Sequence, residues 1–124
     1  MNVLMIDEDR QSLNLLTHAV SEFDKNAYLY PATDIKTGLD YSDCNGVDVV
    51  FLEINMRCMD GICAAKEIMK KHPKANIIFC TDSREHAMEA WSMNCSGYIL
   101  KPVNDEKIRR AMSNLRYKIE QGEN

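Results

Sequence analysis

The stretch VDVVFLEINMRCMDG, from Val47 to Gly61, lies near the middle of the chain. Within it, a run of apolar residues ends abruptly at the carboxylate of Glu53. The segment from Val49 to Leu52 is β-branched and aromatic and shows no polar alternation, which is typical of a strand covered on both faces in a parallel sheet. Glu53 follows at the carboxyl end of that strand. Because ligands of open α/β sheets bind just outside the carboxyl ends of the strands, Glu53 is a candidate functional residue, with a capping or surface glutamate as the alternative.

The segments on either side of this strand alternate between strand and helix patterns. Further strands are predicted at residues 2–6, 27–32, 76–80 and 98–100, which are short, apolar and bounded by turn residues. The first predicted helix begins at the N-cap Asp9 and has an apolar face made of Leu13, Leu16, Val20 and Phe23. The second covers residues 34–44, and the third runs through residues 62–69 and ends at His72-Pro73. The fourth is capped by Ser83 and passes through Trp91, and the fifth runs from the N-cap Asn104 to Ile119. This alternation predicts a single α/β domain with a doubly wound, five-stranded parallel sheet flanked by five helices.

Bulk properties narrow the function classes. The length of 124 residues fits one domain, and the formal net charge of -4 argues against direct binding of nucleic acid or an anionic membrane through a broad basic face. No apolar run approaches the length of a membrane span. The N-terminus lacks the basic start and cleavage site of a signal peptide, so a cytoplasmic location is expected.

The cysteines do not form a recognisable framework. They are odd in number and never spaced C-x-x-C, and they occur at Cys44, Cys58, Cys63, Cys80 and Cys95. Neither a disulfide scaffold nor a zinc site is indicated, and the three histidines show no metal-ligand spacing. We expect reduced, mostly buried thiols, and we rank a cysteine-based redox sensor low.

Five chemically distinctive side chains are expected at one edge of the sheet. Right-handed crossovers place the carboxyl ends of all parallel strands along the same edge, which gathers Asp7, Glu8, Glu53, Thr81 and Lys101. Clustered carboxylates suit Mg²⁺, and a lysine and a hydroxyl suit phosphoryl oxygens. The alternative is that Lys101 neutralises the acids in a structural ion pair. The Lys101-Pro102 peptide bond can adopt the cis form, because cis peptide bonds are largely confined to bonds that precede proline.

Four motifs together carry a family resemblance. They are the Asp7-Glu8 pair, Glu53-x-Asn55-Met56-x-x-Met59-Asp60-Gly61, Thr81 after its strand, and Gly97-Tyr98-Ile99-Leu100-Lys101-Pro102. The chain resembles, over its whole length, the CheY-like receiver domain of bacterial two-component response regulators. The run from Ser83 to Trp91, with Ser96-Gly97-Tyr98, is most similar to receivers that precede LytTR-type DNA-binding domains. The resemblance implies a flavodoxin-like fold of strand order 2-1-3-4-5, with a receiver domain at residues 1–121 and a linker or chain end at 122–124.

The resemblance also implies roles for individual residues. Asp7, Glu8 and Glu53, together with the backbone carbonyl of Asn55, match the positions that bind magnesium. Glu53 occupies the phosphoacceptor position.

Three further positions match the groups that respond to the phosphoryl group. Thr81 matches the hydroxyl that turns toward the phosphoryl group, and Lys101 matches the lysine that pairs with it. Tyr98 matches the aromatic switch residue, with a core tyrosine satisfied by one hydrogen bond as the alternative.

Three departures from the family pattern border the same pocket. Glu53 stands where the family has aspartate, so the nucleophile lies one methylene farther out than in-line transfer requires. Arg57 replaces the usual proline and brings bulk and positive charge to the rim. Asp82 follows Thr81 where a small residue is usual, and its charge should disfavour an incoming phosphate. These departures favour a degenerate or phosphomimetic receiver, in which Glu53 reaches toward Thr81 and Lys101.

Two alternatives remain open. One is a conventional magnesium-dependent receiver that is phosphorylated on Glu53. The other, more remote, is a phosphohydrolase similar to the haloacid dehalogenases, prompted by the acids Asp7 and Asp9. The receiver reading makes the chain a signalling module with at most autocatalytic phosphoryl acceptance, not an enzyme. Its expected partners are a sensor histidine kinase and a second copy bound through the fourth helix, fifth strand and fifth helix. The output DNA-binding domain is absent from this chain.

Overall fold

A computed structural model describes residues 1–119 and shows strands and helices in strict alternation. The strands are β1 (Asn2–Ile6), β2 (Tyr28–Ala32), β3 (Val49–Leu52), β4 (Asn76–Thr81) and β5 (Gly97–Leu100). The helices are α1 (Arg10–Phe23), α2 (Ile35–Cys44), α3 (Gly61–Lys71), α4 (Ala87–Ser92) and α5 (Asp105–Ser113). The domain boundary expected at residue 121 lies outside the described residues. Within residues 1–119, no helix is both long enough and apolar enough to cross a membrane.

The sheet has the predicted topology. All strand pairs are parallel, and the order is β2-β1-β3-β4-β5. β3 lies at the centre, where Leu52 pairs with Ile6 of β1 on one side and with Phe79 of β4 on the other. Every residue of β3 is buried, because helices cover both faces of the strand. The central strand of the sheet therefore ends immediately before Glu53.

Alternate residues of each strand feed two separate cores. Leu4, Val50 and Leu52 point to one face, where they pack with residues of α2, α3 and α4. Val49 and Phe51 point to the other face, toward α1 and α5. This division follows from the two-residue period of a strand, since a strand buried on both sides must be apolar at every position.

Short polar side chains start four of the helices, and two of these residues, Asp9 and Asn104, are N-caps that the sequence predicts. The carboxylates of Asp9, Asp34 and Asp60 and the side-chain oxygen of Asn104 each accept a hydrogen bond from a backbone N–H in the first turn of their helix. α3 also begins at a glycine for a steric reason. A β-carbon at Gly61 would lie 2.1 Å from the carbonyl oxygen of Glu53, so only glycine lets α3 start this close to the end of β3.

Several local expectations are wrong. Ser83 does not cap α4, which begins after His86; its hydroxyl instead accepts a local bond from the Glu85 N–H. Phe23 lies on the apolar face predicted for α1 but is 43% exposed, because it sits at the last residue of the helix.

The thiols are free but not mostly buried. Only Cys80 and Cys95 are enclosed, whereas Cys44, Cys58 and Cys63 are exposed.

α5 is shorter than its apolar pattern predicts. The helix ends at Ser113, and residues 115–119, here called the C-terminal strap, continue without helix. Leu115 and Ile119 still pack against the core beside α1 and α5. The apolar spacing was therefore interpreted correctly as burial but wrongly as helix.

A buried asparagine holds the strap. The Asn76 side chain accepts from the Tyr117 N–H at 2.8 Å and donates to the Tyr117 carbonyl at 2.8 Å. It also accepts from the Ser96 hydroxyl at 2.7 Å, and that hydroxyl in turn accepts from the Arg116 N–H at 3.3 Å. These hydrogen bonds pair the Arg116 N–H and the N–H and carbonyl of Tyr117, which would pair within the helix if it continued. The helix therefore ends before them.

We expect Asn76→Ala to lower the free energy of unfolding by about 2 to 3 kcal/mol, because it leaves buried backbone groups of the strap and the Ser96 hydroxyl without partners. Urea denaturation followed by circular dichroism measures this change. The matched control is Asn26→Ala, at an exposed site, which should change stability by less than about 0.5 kcal/mol. Equal effects of the two substitutions would contradict the role given to Asn76.

Candidate functional site

Four strands deliver polar side chains to the carboxyl edge of the sheet, as predicted. The Lys101 ammonium, at the end of β5, lies between two carboxylates: Asp7, after β1, and Glu53, after β3. Its Nζ is 2.8 Å from Asp7 Oδ2 and 2.5 Å from Glu53 Oε1. All three side chains are largely buried, and the Lys101-Pro102 peptide bond is cis. The structural ion pair considered as an alternative is therefore present.

The Glu53 carboxylate is held on both oxygens. Oε1 accepts from Lys101, and Oε2 accepts from the backbone N–H groups of Ile54 at 2.7 Å and Asn55 at 3.1 Å. The side chain thus folds back over the start of its own loop. Because the side chain folds back, it accommodates the methylene that glutamate has in addition to aspartate. The carboxylate makes no hydrogen bond to Thr81.

Burial and pairing act in opposite directions on the ionisable groups here. Burial raises the pKa of Asp7, although the hydrogen bonds from Lys101 and from the Asp9 N–H oppose it. For Lys101, burial disfavours the charged form, but the hydrogen bonds and charges of Asp7 and Glu53 outweigh burial and raise the pKa of its ammonium group. The lysine therefore stays charged throughout the physiological range.

We expect Lys101→Met to destabilise the domain by about 2 to 4 kcal/mol at neutral pH, because two buried carboxylates lose their shared cation. Lys101 has a higher pKa in the folded than in the unfolded chain, so its contribution is complete below the ordinary lysine pKa of about 10.4 and is lost as pH rises through the folded-state value. Unfolding curves from pH 7 to 11 should therefore show the gap between wild type and variant narrowing above about pH 10.4.

The exposed pair of Lys36 with Asp40 provides the control for this prediction. Lys36→Met should leave stability nearly unchanged at neutral pH. A gap between wild type and Lys101→Met that stays constant up to pH 11 would contradict the assignment.

Glu8 does not join the other two acids. Its Oε2 accepts from the Arg57 backbone N–H at 3.2 Å, and its Oε1 lies 3.6 Å from the Arg57 guanidinium Nε. Within residues 1–119, no group of three or more histidine, cysteine, aspartate or glutamate side chains is placed to hold a metal ion. As arranged, the oxygens of Asp7, Glu8 and Glu53 do not fit Mg²⁺, and their role as ligands together with Asn55 stays a prediction.

Thr81 carries an unpaired hydroxyl at the end of β4. The residue is fully buried, and its Oγ1 has no hydrogen-bond partner among the described residues. Leaving such a group unpaired costs free energy, so a native structure keeps one only for a reason. The Thr81 carbonyl, by contrast, accepts from the Lys101 N–H at 2.9 Å and fixes the residue beside the ion pair.

Tyr98 links β5 to the loop that precedes α4. Its phenol donates to the Ser83 carbonyl at 2.5 Å, and its ring packs against Phe79 with centroids 6.4 Å apart. Burial raises the pKa of the phenol, so it remains a donor near neutral pH. The alternative of a tyrosine satisfied by one hydrogen bond describes this state, and a switching role stays a prediction.

Two supporting contacts were not foreseen from the sequence. The Lys107 ammonium donates to the carbonyls of Leu100 at 2.9 Å and Pro102 at 3.0 Å, which braces the turn that follows β5. The other contact is Ser83 as the acceptor for Tyr98. A lysine soon after a proline turn is a weak hint of the first contact, and no sequence signal indicates the second.

A shallow pocket opens beside the ion pair. Its volume is about 270 Å³, and its lining includes Asp7, Asp82 and Lys101 with the apolar Leu15 and Val103. Asp82 thus adds a negative charge at the mouth of the site, as its position in the sequence led us to expect. Asp9 is engaged as the α1 cap, and its N–H donates to Asp7 Oδ1 at 2.9 Å. Asp7 and Asp9, the acids that prompted the phosphohydrolase alternative, therefore make structural hydrogen bonds here.

The fold and this edge define a receiver-type α/β module. The family model for the response regulator receiver domain matches residues 3–113. The chain belongs to this family of receiver domains, which confirms the resemblance seen in the sequence motifs.

Named relatives agree with this assignment. The chain is 30% identical over 116 residues to the transcriptional regulatory protein LytR of Staphylococcus aureus strain N315, and it covers 47% of that protein and 94% of itself. It is 32% identical over 113 residues to the positive alginate biosynthesis regulatory protein of Pseudomonas aeruginosa, with coverage of 46% and 90%. The chain spans about half the length of these curated relatives.

Solved structures support the same fold. The response regulatory domain of protein mrkE from Klebsiella pneumoniae superposes with a TM-score of 0.83 at 28% identity, covering 93% of this chain and 94% of that one. The response regulator TrrA of Thermotoga maritima, solved with Mg²⁺ and BeF, has a TM-score of 0.79 at 23% identity and coverage of 90% and 96%. The second likeness supports the fold alone.

Proposed function

We propose that this chain is a degenerate receiver, in which Glu53 supplies permanent negative charge at the phosphoacceptor position and the module acts through protein contacts. The observation that carries the proposal is the saturation of the Glu53 carboxylate by Lys101 and two backbone N–H groups. In-line transfer needs a carboxylate oxygen that is free to approach phosphorus. Glu53 lacks such an oxygen in this arrangement.

The contacts of Lys101 support the same proposal. The family resemblance gives this lysine the task of pairing with the phosphoryl group, and here its ammonium is already shared by Asp7 and Glu53. Glu53 therefore supplies one of the two contacts expected of a phosphoryl group. It does not supply the second, since the Thr81 hydroxyl has no hydrogen-bond partner within residues 1–119.

That hydroxyl favours a second candidate function. A buried, unpaired donor beside a lysine is suited to receive a phosphoryl oxygen, as a conventional magnesium-dependent receiver phosphorylated on Glu53 would require. Such a receiver would need one Glu53 oxygen to leave its present hydrogen-bond partners, and Glu8 to release Arg57.

The proposed partners follow from the family and from one surface. A sensor histidine kinase and an output domain that controls transcription are proposed from the named regulators, which are about twice as long as this chain. Self-association is proposed through α4, β5 and α5. On this face Met88 is 87% exposed and Trp91 48% exposed, and a groove of about 450 Å³ runs between Trp91, Tyr98 and Arg110. Exposed large apolar side chains are typical of contact surfaces.

Phosphoryl acceptance separates the two candidate functions. We expect wild-type protein incubated with acetyl phosphate and Mg²⁺ to keep its mass, because the Glu53 oxygens are occupied. Glu53→Asp, which shortens the side chain by one methylene, should gain the mass of one phosphoryl group on part of the sample in intact mass spectrometry. Glu53→Gln is the control that cannot accept. Stoichiometric phosphorylation of wild type that is absent from Glu53→Gln would establish the conventional receiver instead.

The self-association surface has its own test. Sedimentation velocity should show weaker association for Trp91→Ala, by about tenfold, because aromatic residues at the centre of an interface carry much of its binding energy. Leu15→Ala, which removes an apolar side chain of similar exposure from α1 (54% exposed), is the matched control and should associate like wild type. An equal response of both variants, or a monomeric wild type at high concentration, would exclude this surface.

A further inference from the structure

Lys107 lies in the first turn of α5, where a positive charge is unfavourable. The helix begins at Asp105, so Lys107 is its third residue, after Asp105 and Glu106. Because the N-terminal end of a helix carries partial positive charge, acids stabilise this turn and a lysine opposes it. The contacts of the Lys107 ammonium therefore have an unfavourable placement to offset.

The Lys107 side chain turns back toward β5 and binds two backbone carbonyls. Its Nζ donates to the Leu100 carbonyl at 2.9 Å and to the Pro102 carbonyl at 3.0 Å. The Lys107 backbone N–H also donates to the Asn104 side chain at 2.8 Å, which fixes the base of the lysine side chain. Three hydrogen bonds thus tie one residue of α5 to the turn that joins β5 to this helix.

The two carbonyls belong to the residues on either side of Lys101. Lys101 follows the last residue of β5, and its backbone N–H donates to the Thr81 carbonyl of β4 at 2.9 Å. The sheet therefore holds Lys101 through its own N–H, and Lys107 holds it through both of its neighbours in the chain.

The position of this backbone matters because Lys101 contacts two acids with one ammonium. Its Nζ is 2.8 Å from Asp7 Oδ2 and 2.5 Å from Glu53 Oε1. Lysine has a flexible four-carbon stem, so a loose turn would let the ammonium leave one acid. Hydrogen bonds weaken steeply as their geometry departs from these distances, and a buried acid without its donor is costly. A fixed turn therefore favours the arrangement in which the ammonium contacts both acids.

We propose that Lys107 is a positioning residue, which holds the turn after β5 so that the Lys101 ammonium contacts both buried acids at once. Its charge acts on backbone carbonyls and not on the acids themselves. The inference rests on the proposed function, because the contact that Lys107 fixes is the one through which Glu53 occupies Lys101.

Nuclear magnetic resonance of the lysine ammonium groups reads the contacts of Lys101 directly. The Lys101 signal is the one that is missing from Lys101→Met. In Lys107→Met, we expect the Lys101 ammonium protons to exchange with water about three- to tenfold faster than in wild type, the range that loss of one typical hydrogen bond supplies. Lys107→Arg, whose guanidinium can still donate to both carbonyls, should restore slow exchange.

Melting temperatures provide a second measurement. Lys107→Met should lower the melting temperature of wild type by about 3 to 6 °C, because two hydrogen bonds to the turn are lost. The same substitution should lower the melting temperature of Lys101→Met by clearly less, because that variant has no ammonium to position. A brace that acted on the turn alone would give equal losses in the two backgrounds.

Arg110→Met is the matched control, since it removes the same charge from α5 three residues further on. Arg110 is 73% exposed and pairs with Glu106, so its loss should leave the Lys101 signal unchanged. Lys107→Gln, with a shorter neutral side chain, carries the same measurements if Lys107→Met does not fold. Unchanged Lys101 exchange in the folded variant, or equal melting losses with and without Lys101, would overturn the proposal. Neither measurement uses a phosphodonor, so failure here is distinguishable from phosphorylation of wild type, the result that contradicts the proposed function.

Discussion

The ion pair network of Lys101 with Asp7 and Glu53 is the interaction on which the arrangement of the carboxyl edge depends. One ammonium from β5 holds carboxylates from the ends of β1 and β3, so three strands share a single contact. Such a network adds little net stability, because removing three charges from water costs about as much as their attraction returns. Loss of the lysine alone is costly all the same, because two buried acids would then lack a cation.

The sheet and much of the site could be predicted from sequence because both follow from local patterns. Short apolar runs located the strands, and Asp9 and Asn104 were recognisable as N-caps. A parallel sheet necessarily brings Asp7, Glu53, Thr81 and Lys101 to one edge. None of these inferences needs knowledge of which side chain touches which. They require only the order of elements and the handedness of their connections.

The errors arose where contacts between distant residues override the local pattern. The apolar spacing of Leu115 and Ile119 is helical, yet Asn76, 41 residues before Tyr117, captures the backbone of this segment. Similarly, Ser83 is a residue type that often caps helices, but here its carbonyl accepts a hydrogen bond from the Tyr98 phenol. When a polar side chain has several accessible partners, the tertiary geometry decides which partner it binds. A local stretch of sequence does not contain that geometry.

β4 joins the two unusual polar residues of the sheet. It begins at Asn76, whose side chain binds the strap, and ends at Thr81, whose hydroxyl has no hydrogen-bond partner in the described part of the chain. Six residues of strand span about 20 Å, and all six are buried between neighbouring strands. One continuous, buried strand backbone therefore lies between the segment that follows α5 and the acidic edge on the opposite side of the domain.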